Sequence, residues 1–365
     1  MYARGILAKG QPTEVIWSRK LGINLFRNTI PCDKYKELLR YIRFDIRSTR
    51  SQRLQNDKFA LISMVWDRFV ENCKLSNRPG ENITIDEQLF LTKARYPFTQ
   101  YMAKKPDKFD IKFWLAVDAT SKYLVNGFPY LGKDSQRPAN KFISEYIVMK
   151  LMEPYLDKGR NVKTNNFFTS LSLANELQKN RTTILGTMNR ARKEIPSELK
   201  ATKQALFSSL IFVNSGKTLT FYQGKKNKNV LILSSVHKSV KVLDVRKRLP
   251  ESIQYYNETK YGVDILDQMA RLYSTKMSFR RWLFQFFYNI LDFAGINAVI
   301  LYREVTGKKI TLCQFLNNLI TELIDDGDDE SKDDIEENNQ LFRSQSNCST
   351  KNRSWRTVNC SKQNL

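Results

Sequence analysis

Histidine is almost absent from this chain, since His237 is the only one among 365 residues. Catalysis by a pair of histidines and metal sites built from histidine and cysteine are therefore excluded. The five cysteines lie far apart and show no paired spacing. This usage is typical of reduced intracellular thiols rather than of a disulfide framework.

Long hydrophobic runs are also scarce. No apolar segment follows Met1, so no signal peptide is expected. The most apolar stretch, residues 282–302, is interrupted at helical spacing by Gln285, Asn289, Asp292 and Asn297. One face of such a helix is polar, which predicts a core or interface helix and no membrane span.

Positive charge is abundant, with 60 Lys and Arg against 37 Asp and Glu and a formal net charge of +23. Much of the acid lies in residues 322–337, so the remainder of the chain is more basic still. Such an excess favours a polyanionic partner, most commonly DNA or RNA, with an anionic membrane surface as the competing interpretation. The acidic run and the polar residues after it predict a disordered tail over 323–365.

The stretch 112–132 predicts a central β-hairpin. Phe113, Leu115 and Val117 alternate with their neighbours in a run of β-formers that stops at Asp118. A carboxylate held at a strand end can present a divalent cation to a phosphate. The alternative is that Asp118 simply caps the turn of the hairpin.

The segments before and after the hairpin differ in their predicted secondary structure. Apolar stripes at helical spacing predict helices within residues 1–75, and a short strand follows at 83–87. Residues 190–251 show short β-like runs broken by lysine-rich turns, which we interpret as an inserted basic β module. Helical periodicity then resumes, and Asp264 and Asp267 are three residues apart, so they share a helix face.

Basic residues interleaved with aromatics precede the hairpin. They could grip a nucleic-acid backbone, or they could form a solvated loop. The predicted DNA-binding residues of the whole chain are Lys93, Arg95, Lys104, Lys105, Lys108, Lys225, Lys226, Lys276, Arg280 and Arg281.

The order of a strand-end acid, a second strand with a polar cluster and an acidic helix is that of RNase H-like nucleases and transposases. Several phrases of the chain match one family of them in order: Ile85-Asp86-Glu87-Gln88, Tyr130-Leu131-Gly132-Lys133, Asn166-Phe167-Phe168-Thr169-Ser170, Gly262-Val263-Asp264, Asp267-Gln268-Met269 and Arg281-Trp282. The sequence thereby resembles the transposases of piggyBac elements and the domesticated proteins derived from them.

The resemblance implies an α/β fold with an RNase H-like catalytic core, a β-rich insertion and flanking helical segments for dimerisation and DNA binding. The corresponding segments are 1–111 (helical and shortened at its front), 112–190 (core), 191–252 (insertion), 253–270 (core), 271–322 (helical) and 323–365 (tail). It further implies cleavage of double-stranded DNA with Mg²⁺ by a homodimer. A nuclear location follows from this interpretation and from the cluster Arg246-Lys247-Arg248.

By the same resemblance, the metal carboxylates fall on Asp118 and Asp264, with Asp267 as a supporting acid. The second carboxylate position is Asn165, whose amide brings no negative charge to neutralise two adjacent dications. Cleavage is therefore expected to be absent or severely reduced. After residue 322 only Cys348, Cys360 and no histidine are present, so the family's zinc domain is not expected.

Three functions remain open from the sequence. The first is a transposase-derived DNA-binding protein with impaired catalysis, and the second is an active Mg²⁺-dependent transposase. The third is a non-enzymatic protein-interaction module that uses the apolar helix and the acidic run. The unbalanced positive charge makes the third the least favoured.

Overall fold

The computed structural model describes residues 1–91, 98, 100–101, 109–132, 137–200, 204–242, 246–277, 279 and 281–325. The chain forms two compact units. One comprises Met1–Ile42 together with the segment from Lys309 onward, and the other comprises Arg43–Lys308.

The helices, numbered in chain order, are α1 (Tyr2–Leu7), α2 (Thr13–Ile16), α3 (Asn24–Thr29), α4 (Cys32–Tyr41), α5 (Arg50–Asn56), α6 (Ser63–Ser76), α7 (Ile143–Met152), α8 (Leu171–Lys179), α9 (Ser197–Lys200), α10 (Glu251–Thr259), α11 (Gly262–Leu272), α12 (Trp282–Thr306) and α13 (Leu312–Asp325). The strands are β1 (Asn82–Leu91), β2 (Gln100–Tyr101), β3 (Phe109–Asp118), β4 (Leu124–Pro129), β5 (Asn161–Thr164), β6 (Thr183–Thr187), β7 (Ser209–Asn214), β8 (Lys217–Lys225) and β9 (Lys228–Ser234).

The first unit is helical. Ala8, Ile16 and Phe26 are buried together where α1 to α3 meet. The indole N–H of Trp17 donates to the carbonyl oxygen of Ile30 at 2.8 Å, and its ring stacks on Tyr35 of α4 with 4.8 Å between ring centroids. Helix α13 packs against α1. The helices predicted within residues 1–75 are thus confirmed.

The second unit is built on one mixed sheet in the order β2-β3-β1-β5-β6-β9-β8-β7, with β4 paired to β3. Strands β1, β5 and β6 run parallel to one another, whereas β3 is antiparallel to β1. All residues from Phe113 to Val117 are buried, so both faces of β3 are covered. Helices α7 and α11 pack on this strand.

The positions of two strands do not agree with the predicted segment boundaries. Strand β1 lies within the predicted helical segment 1–111, and the boundary at 112 falls inside β3. The predicted β runs after residue 190 are confirmed as β7 to β9. These strands do not form a separate sheet, because β9 pairs antiparallel with β6 and thereby extends the central one.

Helix α12 is long and apolar enough to cross a membrane by length and composition, but 72% of its most apolar window is buried inside the protein. Its Phe286 ring lies 5.2 Å from Phe113 and 4.7 Å from Phe59 between centroids. Its polar residues are buried with partners. The Asn297 side-chain oxygen, for example, accepts the Leu124 N–H at 2.9 Å. The prediction of a core helix is confirmed.

Candidate catalytic site

The side chains that carry the site lie where the parallel pairing of β1 with β5 ends, in the middle of β1 and directly after β5. The two strands are parallel, and Ile85 pairs with Thr164. Asp86 and Asn165, the residues that follow this pair, therefore lie side by side at one edge of the parallel strands. The Asn165 amide nitrogen donates to Oδ1 of Asp86 at 2.8 Å.

The orientation of the Asn165 amide is fixed by a second hydrogen bond. Its Oδ1 accepts the backbone N–H of Phe167 at 2.9 Å. A backbone N–H can only donate, so the oxygen must face Phe167 and the NH₂ group must face Asp86. Asn165 thus presents hydrogens, rather than lone pairs, to the Asp86 carboxylate.

Helix α11 adds two further acids. Its first residue, Gly262, packs so closely on β1 that a Cβ there would lie 2.8 Å from Oγ1 of Thr84. This approach places Asp264 within electrostatic reach of β1. Burial, assisted by the negative charges of Glu87 and Asp264, raises the pKa of Asp86 to about 8.

The pKa of Asp264 is also raised, first by burial and then by the charge of Asp267. The influence of the Asp267 charge on Asp264 agrees with their predicted position on one helix face. Burial and like charge both disfavour the ionised carboxylates of this cluster, so it resists full ionisation when no cation is bound.

Asp267 is held in a hydrogen-bond network. Its Oδ1 accepts from the Gln88 amide at 3.0 Å, and its Oδ2 pairs with the Arg271 guanidinium at 2.8 Å. The Gln88 oxygen in turn accepts from the Asn289 amide of α12 at 3.0 Å. The network joins α11 and α12 to β1 and engages both carboxylate oxygens of Asp267.

Asp118 lies apart from this cluster. Its Oδ1 accepts the N–H groups of Thr120 and Ser121, both at 2.8 Å, and its Oδ2 accepts the N–H of Gly80. It pairs with Ile83 at the amino end of β1, whereas the cluster lies at the carboxyl end of the parallel pairing. The structure thus shows Asp118 capping the turn of the hairpin, whereas its role as the first metal ligand stays a prediction.

The residue missed from the sequence is Asp86. It stands in the quoted phrase Ile85-Asp86-Glu87-Gln88, inside a strand predicted over 83–87. The available signal was topological, because Asp86 follows the last residue of β1 that pairs with the parallel strand β5, and Asn165 follows β5.

The acids do not fit a pair of magnesium ions. Across the described ranges, no group of three or more His, Cys, Asp or Glu side chains is arranged to hold a metal ion. Asp86 and Asp264 supply two carboxylates, and the third position carries an amide that donates to Asp86. Two closely spaced dications need more negative charge than this set offers.

The structure describes four of the ten predicted DNA-binding residues. Lys225 and Lys226 are exposed at the turn between β8 and β9. Lys276 lies 4.7 Å from the Phe90 ring centroid, and the Arg281 guanidinium lies 4.9 Å from that of Phe284. The other six lie outside the described residues: Lys93, Arg95, Lys104, Lys105, Lys108 and Arg280.

Comparison with known sequences identifies a protein family that matches most of the chain. The family model described as Transposase IS4 matches residues 2–299. The human PiggyBac transposable element-derived protein 3 is 23% identical over 285 residues, which cover 72% of this chain and 47% of that protein. The human Chimeric ERCC6-PGBD3 protein is likewise 23% identical over 285 residues, covering 72% of this chain and 26% of that protein. The chain spans about half the length of the first relative and about a quarter of the second.

Comparison with solved structures gives a similar result. The cryo-EM structure of a piggyBac transposase synaptic complex with hairpin DNA superimposes with a TM-score of 0.84 and 29% sequence identity. The match covers 99% of this chain and 77% of that one.

Proposed function

The chain belongs to the piggyBac-type transposases of the IS4 family, and from this premise we propose that it is a transposase-derived DNA-binding protein with impaired strand cleavage. The observation that carries the impairment is the hydrogen bond from the Asn165 amide to Asp86. The proposal includes an RNase H-like core, double-stranded DNA as the partner, a homodimer and a nuclear location.

Loss of cleavage follows from the direction of that hydrogen bond. A metal ligand must direct a lone pair toward the ion, but the hydrogen bond from the Phe167 N–H holds the Asn165 oxygen facing away from Asp86. The nitrogen of an amide offers no lone pair to a cation and donates its hydrogens to Asp86 instead. The position that would hold a third carboxylate therefore supplies no charge and directs no ligand atom toward Asp86.

DNA binding is supported by charge and by the structural relative. The chain carries a net charge of +23, and phosphate neutralisation by Lys and Arg is the main source of non-specific affinity for DNA. The superimposed piggyBac transposase is a complex with hairpin DNA.

A salt titration tests the DNA-binding part of the proposal. Fluorescence anisotropy of a labelled duplex, measured between about 50 and 200 mM salt, should show the logarithm of affinity falling linearly with the logarithm of salt concentration. The double variant K225Q/K226Q should weaken binding and make the slope less steep. Affinity that is absent at low salt, or that is independent of salt, would overturn DNA binding as the function.

One observation favours the alternative of an active transposase. Asp86, Asp264 and Asp267 are still gathered at one sheet edge, so Asn165 is the single replaced position among them. Measurable Mg²⁺-dependent cleavage by the unaltered chain would decide for this alternative.

A further inference from the structure

A cavity of about 480 Å³ opens between the β8–β9 hairpin and helix α10. Its wall includes Tyr222, Ile253 and Tyr256, which belong to a buried hydrophobic cluster. A volume of this size is within the usual range of small-molecule sites. The wall therefore offers aromatic and apolar surface to a planar organic group.

The mouth of the cavity is cationic. Lys225, Lys228 and Lys260 line it, and its lining contains no acidic residue. Within the described part of the chain, the ammonium groups of Lys225 and Lys228 make no salt bridge or hydrogen bond. Both side chains are exposed, whereas Lys260 donates to Oδ1 of Asn257 at 2.9 Å. Two ammonium groups beside an apolar wall suit a ligand that has an anionic part and an apolar part.

The cavity adjoins the candidate catalytic site. The hydroxyl group of Tyr256 donates to the carbonyl oxygen of Thr164 at 3.2 Å, and Thr164 directly precedes Asn165. The charge of Lys260 lowers the pKa of Asp264 against the larger effect of burial. Tyr256 and Thr164 thus connect the wall of the cavity to the Asp86–Asn165 pair.

We propose that this cavity binds one nucleoside monophosphate unit, with the base against the tyrosine wall and the phosphate at Lys225 and Lys228. Aromatic side chains bind bases of any sequence through their faces, and lysines bind phosphate as point charges. The identification of DNA as the source of this nucleotide rests on the proposed function, whereas the chemistry of the cavity does not. In DNA the unit would be an unpaired, extrahelical nucleotide.

The direct test uses dAMP as the probe and saturation-transfer NMR to measure its affinity for the full chain. Lys228→Gln should weaken dAMP binding about three- to fivefold, the effect of one exposed charge pair. Lys238→Gln is the matched control, because Lys238 is exposed shortly after β9 but does not line the cavity. Deoxyadenosine and 2-deoxyribose 5-phosphate, which lack the phosphate and the base respectively, should each bind more weakly than dAMP.

A second variant fills the cavity instead of changing its charge. Asn229→Trp places a large ring at a lining position and should abolish dAMP binding in a protein whose thermal unfolding is unchanged. Absence of dAMP binding to the unaltered chain, or equal losses in Lys228→Gln and Lys238→Gln, would overturn the proposal.

A third arm identifies the source of the nucleotide. A duplex with one bulged adenine should bind more tightly than the same duplex fully paired, and Lys228→Gln should remove that preference. If dAMP binds but the bulge confers no preference, the cavity takes free nucleotides and DNA is overturned as the source. If dAMP binds but neither duplex binds at any salt concentration, the cavity assignment stands and the proposed function fails.

Discussion

Lys163 is predicted to destabilise the protein at neutral pH. It lies in the middle of β5 with none of its surface exposed, and its ammonium nitrogen has no hydrogen-bond partner. Burial lowers its pKa to about 7 from an ordinary value of 10.5, against the opposing charge of Glu81. The unfolded chain therefore binds more protons at this residue than the folded chain between about pH 7 and pH 10.5.

The sign of the pH effect follows from that difference. Where the unfolded state binds more protons, the free energy of unfolding rises with pH. The penalty is complete below pH 7 and disappears toward pH 10.5. A depression of this size corresponds to roughly 4 kcal/mol at pH 7, since each pKa unit is about 1.4 kcal/mol. The Tyr255 ring, 3.9 Å from the nitrogen, returns up to about 2 kcal/mol through a cation–π contact, which leaves about 2 kcal/mol.

The perturbation is Lys163→Met, which keeps the chain length of the side chain and removes its charge. We expect the variant to gain about 2 kcal/mol at pH 7 and to lose the gain progressively as the pH rises toward 10.5. Urea unfolding followed by tryptophan fluorescence, between pH 6.5 and 9.5, measures both effects. The difference between the two pH profiles isolates Lys163 from other groups such as Asp86.

Lys226→Met is the control, because this exposed lysine should give the same stability and the same pH profile as the unaltered chain. A Lys163→Met variant that is less stable at pH 7 would refute the reasoning. It would mean that the ring contact exceeds the cost of burial.

Two further predictions concern the acids. Asp118→Ala removes the acceptor of three backbone N–H groups and should cost about 2–4 kcal/mol of unfolding free energy. The salt-dependent DNA affinity per folded molecule should stay unchanged. A loss of affinity without a loss of stability would instead make Asp118 a functional residue. Asn165→Asp places a third carboxylate beside Asp86 and Asp264, so the variant should have a lower thermal midpoint than the unaltered chain when no metal is present. Addition of Mg²⁺ should raise the midpoint of the variant by several degrees and should shift that of the unaltered chain little. Equal Mg²⁺ shifts in both proteins would contradict the argument that the amide prevents metal binding.

Much of the local structure was predictable because it depends on short-range patterns. The alternation of Phe113, Leu115 and Val117 predicted β3, and the three-residue spacing of Asp264 and Asp267 predicted a shared helix face. Both are properties of a single element. Polar residues at helical spacing along 282–302 likewise predicted a core or interface helix.

The position of Asp118 relative to Asn165 was not predictable, because it depends on the relative direction of strands. A run of residues shows that a strand ends at Asp118 but not to which edge of the sheet that end belongs. Since β3 is antiparallel to β1, its carboxyl end lies beside Ile83 rather than beside Asn165. The same lack of pairing information hid the burial of Lys163, which lies between Thr84 of β1 and Leu185 of β6.

The most direct measurement is Mg²⁺-dependent nicking of supercoiled plasmid by the purified chain, by Asn165→Asp and by the double variant D86N/N165D. We expect the unaltered chain to leave the plasmid intact, Asn165→Asp to nick it when Mg²⁺ is present, and the double variant to be silent. Nicking by the unaltered chain at the rate of Asn165→Asp, abolished by Asp86→Asn, would contradict the conclusion that the Asn165 amide disables the site.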